Sequence, residues 1–311
     1  VPAVTLEIMR MGVLDIGSNT GHLLIVDAYR GGPPVPAHSF KEPLRLAEHL
    51  DAEQRVTDEG VARLVKYAVE ATHEAAEKGC DTVLAFATSA VRDAVNADEV
   101  IQAVNEATGL DLSVLPGEDE ARLTFLAVRR WFGWSSGRLG VFDIGGGSLE
   151  LAVGADEEPD VVSSLPLGAG RLTRERLERG ASLPELRLQV RKEIGQLAGP
   201  LLRGGGFDRA VATSKTFRSL ARMCGAAPSA EGPYVRRVLS AQRLGKLVDQ
   251  LATMTPDEVA ALPGATVDRA HQMRAGAVVA EAAMDLFGVE ELEICPWALR
   301  EGVLIEHLDH L

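Results

Sequence analysis

The residues best suited to chemistry stand in two short matching stretches, Asp15-Ile16-Gly17-Ser18-Asn19-Thr20 and Asp143-Ile144-Gly145-Gly146-Gly147-Ser148. In each, an aspartate precedes a glycine by two positions and a hydroxyl by five. Glycine lets a backbone approach a ligand closely and turns successive N–H groups toward one point. The hydroxyls of Thr20 and Ser148 add donors, and Asp15 and Asp143 can orient a hydrated cation. That combination suits a phosphate with its metal. The seventh position differs, His22 in the first copy and Glu150 in the second, so Asp143 and Glu150 can share a hard divalent cation in a way that His22 cannot. One such turn is weak evidence, since glycine-rich hairpin turns are common for conformational reasons alone. The repetition is what points to function.

Apolar runs flank both loops, residues 11–14 and 22–28 around the first and 139–142 and 149–153 around the second, so each loop reads as the turn of a β-hairpin. Two hairpins imply two related α/β domains. Residues 33–46 hold too much proline for a central strand and read as an edge segment. Thr57 caps a helix whose buried stripe is Val61, Leu64, Val65 and Ala68, and Gly79 stops it. A strand over 82–87 then delivers Thr88-Ser89-Ala90-Val91-Arg92-Asp93 at its C-terminal end, where open α/β sheets place ligand groups. A helix over 98–108 and a strand over 112–115 follow. Pro116-Gly117 punctuates the chain before Glu118-Asp119-Glu120-Ala121-Arg122 opens a helix toward Trp131, and the domain crossover is placed there, giving domains 9–117 and 118–298.

The second half repeats the plan, with a strand over 161–165, a turn at Gly168-Ala169-Gly170, a helix over 185–202 and a strand over 209–212. Ala275-Gly276-Ala277 lets a later helix pack closely. A strand over 292–294 precedes a terminal helix over 296–311, and its segment 299–311 completes the first domain.

A chain of 311 residues buries roughly 75% of its unfolded surface, enough for a core without staples. Three widely spaced cysteines, Cys80, Cys224 and Cys295, argue against a disulfide framework or a structural zinc and for a reducing compartment, the cytoplasm. No segment approaches the roughly 20 apolar residues that span a bilayer, which argues against a membrane partner. Val1–Ile8 lacks a basic region and a long apolar core and reads as an extension before Met9 or Met11, not a signal peptide. A net charge of −13 disfavours nucleic acid and anionic lipid but leaves room for an anionic substrate in a locally basic site.

Six segments together resemble the exopolyphosphatase/guanosine pentaphosphatase family: Asp15–Thr20, Ala87–Ala94, Gly117–Arg122, Asp143–Glu150, Leu165-Pro-Leu-Gly-Ala169 and Leu299-Arg-Glu-Gly-Val303. They keep the family's order and span nearly the whole chain. The resemblance implies two related actin-like ATPase domains (ribonuclease H-like, ASKHA) flanking an interdomain cleft, with phosphates held by the paired hairpin loops. It implies Glu120 as the base that activates water and Arg92 as the counter-charge for phosphoryl oxygens. A lone arginine is more often a surface ion pair; the place after a strand-end Thr-Ser favours the functional role. Gly17, Ser18, Asn19 and Thr20, with Gly145, Gly146, Gly147 and Ser148, would hold phosphates. Asp143 and Glu150, with Asp15, would organise Mg²⁺ or another divalent cation such as Mn²⁺.

One segment departs from the family. Where many relatives carry a glycine pair, Ala212-Thr213-Ser214-Lys215-Thr216-Phe217-Arg218 has Ser214-Lys215, which puts nucleotide recognition in doubt. Lys215 and Arg218 are placed there either to contact a longer phosphate chain or as surface cations of a helix start; Lys41, Arg45 and Arg300 are weaker candidates of the same kind. Glu118 and Asp119 read as a solvated acidic helix start.

The expected activity is Mg²⁺-assisted hydrolysis of the terminal phosphate of inorganic polyphosphate. Longer relatives continue into further C-terminal domains, so short chains are the expected preference. A guanosine pentaphosphate phosphatase, a non-catalytic nucleotide or alarmone sensor, and a sugar or acetate kinase by fold analogy are the alternatives. The apolar helices of the second domain allow a homodimer. No P-loop, dinucleotide fingerprint, nucleophile elbow or zinc pattern occurs.

Overall fold

The computed structural model describes residues 8–311, so the expectation for the first seven residues lies outside the described residues. The chain divides into two units, one running to Leu123 and including Leu299–Leu311, the other Thr124–Ala298.

In the first unit β1 (Met9–Ile16), β2 (Thr20–Ala28) and β3 (Val35–Pro43) form an antiparallel meander. The strands β4 (Thr82–Ala87) and β5 (Ser113–Val114) add in parallel on the other side of β1, giving the order β3-β2-β1-β4-β5. Strand alternation feeds two cores at once. Leu14, Ile16, Leu23 and Ile25 pack with Leu64, Tyr67 and Ala68 of α1 (Asp58–Glu77) and Val100 and Val104 of α3 (Ala97–Thr108). Met11, Val13, Leu24 and Val26 face the opposite way, onto Leu304 and Leu308 of the last helix, α12 (Leu299–Asp309). Thr57 caps α1 by accepting from the Gly60 amide at 3.3 Å. Between β4 and α3, Thr88 opens the short helix α2 (Ser89–Arg92). Pro36 and Pro43 do lie at a sheet edge, in β3, with Pro33 and Pro34 just before it.

The helix α4 (Gly117–Phe132) carries the boundary between the units, after Leu123. The second unit repeats the meander with β6 (Leu139–Ile144), β7 (Leu149–Gly154) and β8 (Val161–Leu165). Next to β6 come β9 (Arg209–Ala212) and β11 (Glu291–Ile294), both parallel, and β10 (Val238–Ser240), antiparallel at the edge. One large core joins Phe142, Ile144, Leu149 and Leu151 to α6 (Leu183–Leu202), α7 (Ser214–Met223), α8 (Ala241–Leu251) and α11 (Met273–Leu286). The short helices α5 (Ala169–Leu172), α9 (Pro256–Ala260) and α10 (Val267–Ala270) complete the unit.

The expected turn at Gly168–Gly170 is not a turn; Gly168 precedes α5 with φ −68° and ψ 148°. Its glycine answers a close approach, because a Cβ there would lie 2.3–2.4 Å from the Gly147 and Ser148 backbone. Among the described residues no helix is long and apolar enough to cross a membrane.

Candidate active site

The two loops are built alike. Gly17 donates to the Thr20 carbonyl at 3.1 Å and Gly145 to the Ser148 carbonyl at 2.9 Å, closing each turn. Behind the first loop, Arg45 and Ala47 donate their amides to the carbonyls of Asn19 and Ser18 at 3.0 and 3.3 Å. Behind the second, Ala169 and Arg171 donate to Gly145 and Gly146 at 3.1 and 2.9 Å. A trans peptide points its carbonyl and the next N–H in opposite directions. The buttressed carbonyls therefore turn the amides of Asn19, Thr20, Gly146 and Gly147 toward the other side of their loops, the disposition of an anion nest. Ser18 and Ser148 are buried, and the Ser18 hydroxyl pairs with that of Ser89 at 3.0 Å.

Glu120 is buried in the first turn of α4 and bonded to Arg92 Nη1, which also donates to the Leu115 carbonyl at 3.2 Å. Arg92 Nε donates to Asp93 at 3.1 Å. Burial lowers the Arg92 guanidinium's pKa, but the Glu120 and Asp93 carboxylates outweigh it and raise the value overall. The two residues expected to act as base and counter-charge are thus side by side within the first unit.

The two loop aspartates differ. Asp143 lies directly across from Glu150 in the β6–β7 ladder, an arrangement that puts two side chains on one face about 5 Å apart. Thr213 donates its hydroxyl to Asp143, and Ser164 donates to Glu150 at 3.0 Å. Asp15 lies across from His22, whose Nε2 pairs with the Ser39 hydroxyl at 2.9 Å. Asp15 itself accepts from Arg300 Nη1 at 2.8 Å. Burial raises the Asp15 carboxyl above its ordinary range by more than Arg300 lowers it. Among the described residues no group of three or more His, Cys, Asp or Glu side chains is disposed to hold a metal. Two adjacent carboxylates with hydroxyls behind them nevertheless fit Mg²⁺, which keeps several waters and completes its shell with substrate phosphates. Asp143 and Glu150 have that form.

Lys215 is exposed in the first turn of α7, while Arg218, one turn on, donates to the Ser214 carbonyl at 3.0 Å. Ser214 takes a left-handed φ of 66°, so the backbone suited to a glycine persists without one. Arg269, in the four-residue α10, was missed by sequence reasoning. Burial, then the neighbouring Arg218, pushes its pKa down, against the pull of Asp143. Arg269 and Arg218 therefore lie close to one another and to Asp143. The sequence signal was the small-residue run Ala275-Gly276-Ala277 just beyond: a Cβ on Gly276 would lie 2.7 Å from Thr216, so α11 brings its N-terminal approach against α7.

The family model for the Ppx/GppA phosphatase family matches residues 25–311, and the chain belongs to that family. It is 52% identical over 305 residues to Exopolyphosphatase 1 of Mycobacterium tuberculosis, covering 97% of this chain and 89% of that protein. Among solved structures, an exopolyphosphatase from Cytophaga hutchinsonii superposes with a TM-score of 0.84 at 25% identity, covering 97% of this chain and 99% of that one. The Aquifex aeolicus member of the Ppx/GppA family superposes at 0.78 with 24% identity over 97% and 98% of the two chains, which shows the shared fold. The fold is accordingly the two-domain actin-like ATPase fold.

Proposed function

We propose that the chain is an exopolyphosphatase that removes the terminal phosphate of inorganic polyphosphate with Mg²⁺ and Glu120 as general base. The observation that carries this reading is the buried Glu120 held beside Arg92 at the start of α4. Hydrolysis needs a base and water, and no acceptor pocket. The name of the M. tuberculosis relative supports the same substrate.

Glu120 takes a proton from water as the water oxygen bonds to the terminal phosphorus and the bridging P–O bond breaks. Orthophosphate leaves and the chain shortens by one unit. Arg92 gives Nη1 to Glu120 and the Leu115 carbonyl and Nε to Asp93, and its Nη2 is the edge of the planar fork that would reach phosphoryl oxygens. Loop amides and the hydroxyls of Ser18, Thr20 and Ser148 hold the phosphates. Asp143 and Glu150 would hold Mg²⁺, which neutralises charge on the phosphoryl and leaving oxygens when bound. Lys215, Arg218 and Arg269 give counter-charge to phosphates further along the chain. Cysteines that form no disulfide framework accord with work in the cytoplasm.

The test is phosphate release by the purified protein from polyphosphates of defined length, guanosine pentaphosphate and ATP in parallel. Polyphosphate is expected to be turned over fastest. Faster release from guanosine pentaphosphate would transfer the same reacting centre to a nucleotide substrate, and no release from any of them would overturn the reading.

A further inference from the structure

The aspartates that open the two phosphate loops are secured by different elements, and the cause is strand register. In the second unit Ala212 ends β9 across from Phe142, so the next residue, Thr213, lies beside Asp143 and donates its hydroxyl to it. In the first unit the corresponding Ala87 lies across from Ile16, and Phe86 occupies the place beside Asp15. Thr88 has the same backbone as Thr213, φ −114° and ψ −155° in both, yet it has already passed Asp15. Its hydroxyl turns to the Ile16 carbonyl at 3.5 Å.

The partner of Asp15 comes instead from far along the chain, as Arg300 Nη1 at 2.8 Å. Both side chains are largely buried, 17% and 21% exposed. Arg300 is delivered by a rigid element. Leu304 and Leu308 seat α12 in the core against Met11 and Val13. Gly302 crosses the Leu123 backbone so closely that a Cβ would lie 2.0 Å from its carbonyl oxygen. Glu306 accepts from Arg122 at 2.6 Å. Arg300 Nε is buried without an acceptor, a mark that packing, not optimal hydrogen bonding, sets where the guanidinium lies. The other carboxylate oxygen, Asp15 Oδ1, flanks the turn, 3.9 Å from where a Cβ of Gly17 would stand.

We infer that Arg300 is a positioning residue: through Asp15 the last helix holds the first phosphate loop in shape, and Asp15 serves as this anchor instead of as a ligand for the cation. A carboxylate already neutralised by a guanidinium at 2.8 Å has little charge to offer a divalent ion. The inference rests on the exopolyphosphatase reading only in that residues 17–20 hold phosphate.

The experiment is a double-mutant cycle of Asp15→Asn, Arg300→Gln and the pair, with Arg300→Lys alongside. It reads amide hydrogen exchange of residues 17–20 in the unliganded protein, kcat and KM on polyphosphate, and the Mg²⁺ concentration for half-maximal rate. Each single change is expected to speed loop exchange and raise KM by about tenfold, with kcat within about threefold and the Mg²⁺ requirement unmoved. The double variant should be no worse than the worse single one, and Arg300→Lys should recover most of the loss. Additive effects, or a shift in the Mg²⁺ requirement with Asp15→Asn that Arg300→Gln does not share, would overturn the inference. Should Arg300→Gln not fold, Asp15→Asn, isosteric, and Arg300→Lys, charge-conserving, decide it by the same readings. The exchange cycle needs no turnover, so a wild-type protein inert on polyphosphate would sink the proposed activity and leave this anchor to be judged separately.

Discussion

Across the first sheet the row beside the phosphate loop reads Asp15, His22 and Lys41, whereas the matching row of the second sheet reads Asp143, Glu150 and Ser164. The backbone is the same hairpin with the same turn closure, but the first row offsets its carboxylate with a lysine while the second carries two carboxylates and no cation. In the first unit the single carboxylate of the row is tied to Arg300, and the catalytic candidates are a glutamate paired with an arginine. In the second, two carboxylates stand together, with the Thr213 hydroxyl donating to Asp143 and the Ser164 hydroxyl to Glu150, and Arg269 near Asp143. On the proposed mechanism a duplicated frame would carry divided labour, the first copy supplying the base and the counter-charge for phosphoryl oxygens and the second the carboxylates for the cation.

The sharpest way to break that division is Glu120→Gln, which keeps size and removes the base. Turnover should fall by about 10²–10⁴ with KM on polyphosphate little changed. Steady-state phosphate release checks it, and near-normal turnover would move the base out of the first unit.

Next in size are the carboxylates of the second row. Asp143→Asn and Glu150→Gln should each raise the Mg²⁺ concentration for half-maximal rate by about 10–100-fold, and Thr213→Val, which removes only the donor behind Asp143, by about tenfold. A Mg²⁺ titration identical to wild type in all three would place the cation elsewhere. Arg92→Lys retains charge and loses the fork shared by Glu120 and phosphate, so kcat should drop by about tenfold. Unchanged kcat would reduce Arg92 to a simple counter-charge.

How far this division could be read without coordinates depended on the range of the interactions. Strands 82–87, 161–165 and 209–212 follow local apolar runs and occur with those limits, and Thr57 caps its helix as its residue type demands. The difference between His22 and Glu150 was visible as a spacing. The Arg92–Glu120 bond was not, because 28 residues separate the partners and only the packing of α4 joins them. Arg300 on Asp15, 285 residues apart, lay further still beyond local pattern. Arg269 sits in a polar stretch whose helix is one turn long, too short for any periodicity. Gly168 was legible as a glycine but misread as a turn, since its role is proximity to Gly147 and not a positive φ.

The smallest expected effect separates the two strand-end serines that follow equivalent threonines. Ser214 holds a left-handed φ of 66° and its hydroxyl accepts from the Phe217 amide at a long 3.4 Å. Glycine there relieves about 1 kcal/mol of backbone strain and gives back about 0.5–1 kcal/mol in unfolded-chain entropy. Ser214→Gly should therefore leave stability within about 0.5 kcal/mol of wild type. Ser89 has no such strain and shares a buried hydrogen bond with Ser18 at 3.0 Å. Ser89→Gly pays the same entropy and also loses a contact worth about 1 kcal/mol, so a loss of about 1.5–2 kcal/mol is expected. Urea unfolding of both variants measures the gap directly. Equal losses at the two positions would show that the left-handed turn at Ser214 carries no strain, and that the two strand ends differ in sequence but not in energy.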